Sequence, residues 1–144
     1  MPEILQSLVT FGVITDIQYC DCEPLYNRYY RKSLQKLEDC VGTLNKMNLD
    51  FVIHLGDLID HDFASFGPAL KAIGRLTFPV YHLPGNHDYA VDDQFKPLVA
   101  DQFGLLGTHY EFRYANWRFI TLDGNEISLL VDAEGSKTHR AASE

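Results

Sequence analysis

Three short apolar runs recur along the chain, LVTFGVIT at 8–15, DFVIHL at 50–55 and PVYHL at 79–83, and each ends in a polar cluster. The runs are rich in β-branched residues and almost continuously apolar, the pattern of strands buried on both faces of a parallel sheet. Between the first two lies YNRYYRKSLQKLEDCVGTLNKMN (26–48), where Leu34, Leu37, Val41 and Leu44 recur at steps of three and four. That spacing predicts one helix with a single apolar stripe. Further helices are predicted over about 64–75 and about 92–102. Strand and helix in alternation predict an α/β fold with a parallel sheet. The rhythm then changes. HYEFRY and WRFITL flank Ala115-Asn116 and alternate in polarity, which predicts an antiparallel hairpin. After Leu130 the chain turns polar, so residues 1–130 read as the domain and 131–144 as a tail.

Composition narrows the picture. At 144 residues there is room for one ordinary domain. Twelve basic against 20 acidic residues give a net charge of −8, which argues against a nucleic-acid partner. It leaves room for a small anionic ligand if metal ions stand between it and the acids. No segment approaches the ~18 apolar residues of a membrane span, and the start lacks the features of a secretory signal. The three cysteines, Cys20, Cys22 and Cys40, lack framework spacing and predict reduced thiols in a cytoplasmic protein. Cys20-x-Cys22 lies near Asp16 and would suit a soft metal, but no second such pair completes a four-sulfur site.

In open α/β sheets ligands bind beyond the carboxyl ends of the strands. There this chain places Asp16 and Gln18, then Asp57 and Asp60, then Asn86, His87 and Asp88. Asp16 and Gln18, two apart, would point the same way from extended backbone. Gly56 and Gly85 precede two of the clusters, as close approach of backbone requires. Carboxylates, carboxamides and an imidazole on one rim make a site for hard divalent ions, two of them if a carboxylate bridges. Taken singly, Asp57 reads as a turn residue and Asn86 as a helix cap; taken together, the three clusters favour the metal reading. His54 and His82 lie within strand patterns and read as packed side chains, while His61 stands close enough to the second cluster to reach the rim.

DIQ, GDLID and GNHD, in that order and each after a strand, resemble the first three motifs of the calcineurin-like metallophosphoesterases. A chance GNHD in a chain of this length is roughly a one-in-thousands event. Gln18, NRYYRKSL (27–34) and RFITLDGNEISL (118–129) resemble the manganese-dependent ADP-ribose/CDP-alcohol diphosphatases within that family. The resemblance covers about residues 8–130 and implies the first half of an αββα sandwich.

It also implies roles. Asp16 and Gln18 would hold a first metal, Asp57 would bridge two, and Asn86 would hold the second. The ions would be Mn²⁺ before Mg²⁺, Fe or Zn, because the Gln18 carbonyl is a harder donor than imidazole. His87 would face the leaving oxygen or the phosphoryl charge, and Asp88 would orient its ring. Asp60 would support the Asp57 loop. Tyr19, Arg28 and Arg31 would meet a nucleotide-type substrate through base, ribose or diphosphate. The family completes its site with later histidines, a lone His and then G-H-x-H, whereas only His109 and His139 follow His87 here. Two expectations follow: a piece of a longer enzyme, or a half-domain that binds metal or is completed by another chain, with self-association through its uncovered face.

Overall fold

The computed structural model describes residues 8–125. Three parallel strands, β1 (Phe11–Ile14), β2 (Phe51–His54) and β3 (Val80–His82), form one sheet in the order β1-β2-β3. Two helices, α1 (Tyr30–Leu44) and α2 (Phe66–Ile73), connect them. The hairpin of β4 (Tyr110–Tyr114) and β5 (Trp117–Thr121) is antiparallel, with Tyr114 opposite Trp117 across the expected turn. Among the described residues no helix is long and apolar enough to cross a membrane. The expected tail at 131–144 lies outside the described residues.

Alternation along β2 builds both layers. Val52, wholly buried, belongs to the core that Leu37 and Val41 of α1 and Phe66, Ala69 and Ile73 of α2 complete. Phe51 meets the hairpin, its ring 5.4 Å from Phe112 and 5.1 Å from Phe119, both edge-on. Burying that ring completely stabilises the fold by about 2–3 kcal/mol. The hairpin is tied down at two more points: Tyr110 donates its hydroxyl to the His82 carbonyl at 2.8 Å, and Tyr114 to Asp50 at 2.7 Å.

The predicted elements were too long, for identifiable reasons. The first helix starts at Tyr30 rather than 26, because Leu25 and Arg28 pair across a tight turn in which Tyr26 has φ 53°. It ends at Leu44, where the Asn45 side chain bonds the Arg75 carbonyl and the Thr77 amide instead. The helix expected over 92–102 reduces to α3 (Val99–Gln102) after a 3-10 turn at Lys96–Leu98. Pro97 accounts for this, since it has no N–H to donate and its ring clashes within an α-helix. One expectation is overturned outright: Cys20 and Cys22 are joined as a disulfide and only Cys40 is free. The chain path places their Cα atoms 5.3 Å apart, within bridging range.

Candidate metal centre

The three polar clusters meet at the carboxyl ends of β1, β2 and β3, and backbone bonds lock their loops together. Gln18 N–H donates to the Asp57 carbonyl at 2.8 Å, Tyr19 to Leu58 at 3.0 Å, and Asp60 back to Tyr19 at 3.0 Å. Gly56 has φ 90°, and a Cβ there would collide with the Gly85 backbone. One on Gly85 would collide with Asp57. Both glycines are therefore required by close approach.

Asp16 (φ 56°), Gln18 (φ 47°) and Asp57 (φ 56°) all adopt the left-handed conformation. The premise that extended backbone aligns Asp16 with Gln18 is thus incorrect. Both turn left-handed on either side of the buried Ile17, and both line the same hollow. Such conformations cost about 1–3 kcal/mol each and collect at functional sites. Asp16 is exposed, with Thr15 donating to its Oδ2 at 2.8 Å, and Gln18 and Asp57 are half-buried. Asp57 Oδ1 accepts the His87 N–H at 2.9 Å. Asn86 precedes a 3-10 turn at His87–Tyr89 but makes no capping bond with its side chain, so the cap reading fails and its carboxamide is exposed on the rim.

The two supporting acids exchange the parts expected of them. Asp88, fully buried, takes Asp57 N–H (2.9 Å) and Gly85 N–H (2.8 Å) on Oδ2, and Leu58 N–H (2.9 Å) and Ile59 N–H (3.1 Å) on Oδ1. It holds the Asp57 loop rather than the His87 ring. Burial pushes its carboxyl up, to about 6, while the N–H groups of Gly85, Ile59 and Leu58 pull down and Asp57 pushes up. Asp60 is the acid beside the imidazoles. Its Oδ2 is 2.5 Å from His61 Nδ1, and its Oδ1 faces His87 Nδ1 at 3.1 Å, outside hydrogen-bond alignment.

The substrate-side expectations divide. A hollow of about 140 Å³ opens beside Asp16 and Gln18 and is lined by Arg28, Tyr29, Tyr30 and Ser33. Arg28 is therefore placed at the rim. Tyr19 is not, because its ring is buried in the hydrophobic core, and the exposed Tyr29 takes that position. Arg31 is tied to Asp21 at 2.6 Å and Glu23 at 2.8 Å, and those two bonds raise its pKa further. His54 and His82 are packed as expected, Nδ1 to Nδ1 at 3.3 Å. Burial lowers them to about 3 and about 4, with His82 also lowering His54.

The donor types suit hard divalent ions: two carboxylates, two carboxamides and an imidazole edge beyond the same strand ends, three of them on left-handed backbone. A family model described as calcineurin-like phosphoesterase matches residues 9–140. The chain belongs to the calcineurin-like phosphoesterase family. Among curated relatives, the manganese-dependent ADP-ribose/CDP-alcohol diphosphatase of Arabidopsis thaliana is 35% identical over 85% of the chain and 44% of its own length. The Homo sapiens protein of the same name is 34% identical over 92% of the chain and 48% of its own length. A crystal structure of a dimetal phosphatase from Danio rerio superposes with a TM-score of 0.77 at 27% identity, over 94% of this chain and 50% of that one. The chain thus spans about half the length of the relatives it matches. It carries the metallophosphoesterase fold over that span, as the motif resemblance implied.

Sequence reasoning missed the contact of Asp60 with both imidazoles and the place of Tyr29. Motif spacing carries no sign of the His87 contact or of Tyr29, since those partners come from different loops, whereas His61 follows Asp60 directly.

Proposed function

We propose that this chain carries the metal-holding rim of a phosphohydrolase that cleaves the pyrophosphate or phosphodiester bond of nucleoside diphosphate-linked compounds such as ADP-ribose or CDP-alcohols. The observation that supports the reading is that Asp16, Gln18, Asp57 and Asn86 stand beyond the carboxyl ends of adjacent parallel strands, the first three in left-handed backbone, with the Asn86 carboxamide making no cap bond. The names of the relatives support the substrate class and the metal.

Asp16 and Gln18 would hold one ion, Asp57 would bridge, and Asn86 would hold the second. Two divalent ions held there, Mn²⁺ on this reading, would polarise the phosphoryl oxygens and lower the pKa of a water nucleophile. His87, with Nδ1 turned to Asp60, presents Nε2 to the leaving oxygen or to charge developing on the phosphoryl group. Arg28 and Tyr29, beside Asp16, receive the diphosphate and its nucleoside.

The test is release of AMP from ADP-ribose with added Mn²⁺. Asp57→Asn is expected to lower the rate by about 100-fold or more. Equal rates in the two proteins would refute the proposal.

A further inference from the structure

A sulfur-bearing corner lies against the rim and has no part in it. Cys20, Cys22 and His61 bring their ligand atoms within 4.8 Å of one another. They come from two loops clamped by the parallel bridge between Tyr19 and Ile59. Cys20 is 1% exposed, Cys22 is half-buried, and the His61 side chain is 53% exposed. The corner is therefore anchored on one side and open on the other.

Its imidazole is already set for coordination. Asp60 Oδ2, 2.5 Å from Nδ1, takes that N–H and assigns the proton to Nδ1. Nε2 faces Cys20 Sγ, 3.9 Å away, and is the ring nitrogen open to an incoming ion. A carboxylate behind a histidine in this manner is the usual support of a metal-ligating imidazole. The Tyr30 ring stands edge-on behind it at 6.3 Å. The disulfide gives no competing reason for the pair: it joins residues only two apart and closes too short a loop to restrain the unfolded chain much.

We propose that the reduced Cys20–Cys22 pair and His61 form a separate site for one thiophilic divalent ion of the zinc type. Two sulfurs and one nitrogen make three ligands of a tetrahedron, with the fourth position on the open side for water. Mn²⁺ and Mg²⁺, which prefer oxygen, are selected against here. The disulfide takes two electrons and two protons from two thiols of a reductant, which leave as their own disulfide. The incoming ion then displaces the two cysteine protons. This site does not depend on the reading of the rim.

Co²⁺ tests it on the full chain, reduced with excess thiol that is then removed under anaerobic conditions, with Mn²⁺ in excess to occupy the rim. Thiolate ligation gives a sulfur-to-cobalt charge-transfer absorption that oxygen and nitrogen donors cannot produce. One Co²⁺ per chain is expected, with that absorption, and Zn²⁺ should displace it. The signal should vanish in Cys22→Ser, chosen because Cys22 is less buried than Cys20, and in the unreduced protein. His61→Gln should weaken binding about tenfold or more, and Asp57→Asn should leave it unchanged. An absent signal in the reduced chain, one that survives Cys22→Ser, one indifferent to His61→Gln or one lost in Asp57→Asn would each overturn the proposal.

Discussion

The floor of the rim and its side wall are each built around a buried carboxylate, and the two are used in opposite ways. Asp88, in the floor, accepts four backbone N–H groups from the second and third clusters. Asp60, in the wall, stands between two imidazoles, His61 on one oxygen and His87 on the other. An acid spent on backbone donors fixes where the chain runs. An acid spent on imidazoles fixes ring orientation and proton position, and so acts on chemistry.

Substituting each acid by its amide separates the two. Asp88→Asn removes two acceptor positions and turns an NH₂ towards buried N–H donors. The expected cost is about 3 kcal/mol or more, seen as a fall of roughly 10 °C in the thermal midpoint, with activity lost alongside stability. Asp60→Asn keeps one acceptor and should leave the midpoint nearly unchanged. It should lower turnover by about 10–100-fold and alter the pH profile of the rate. If the two variants lose stability equally, the contrast between floor and wall is wrong.

A smaller effect sharpens the comparison from beneath. His54 and His82 are buried next to each other, and burial holds them at about 3 and about 4, below the ordinary value of 6.5. Their folded forms resist protonation, so the stability they allow is present above pH 6.5 and is lost as pH falls towards the folded values. At pH 5 the loss is about 2 kcal/mol for His82. Asp88 acts the other way, because its raised pKa favours the folded form as pH falls. The readout is therefore the difference between wild type and His82→Gln in denaturant unfolding, which should grow from pH 7 to pH 5 in favour of the variant.

The rim itself was legible along the chain. Three apolar runs, each ending in acid or amide, place Asp16, Gln18, Asp57 and Asn86 at one edge of a parallel sheet, because parallel strands all end on the same side. Gly56 and Gly85 were legible too, since only glycine allows such close passage. Short-range rules misled where a turn intervened. Asp16 and Gln18 leave the extended conformation on which the same-face argument relied. Tyr19, next in line, is drawn into the core by its pairing with Ile59.

By itself, the amino-acid order determined the strand–helix alternation, the hairpin, the family and the donor types at the rim, all of which depend on local periodicity or fixed motif spacing. Only the tertiary structure decided which acid serves which partner, which aromatic faces the hollow, and that two cysteines and a histidine 39 residues further on share a corner. Those outcomes depend on contacts between loops distant in sequence. Their geometry is set by backbone bonds and packing that form only when the sheet has assembled.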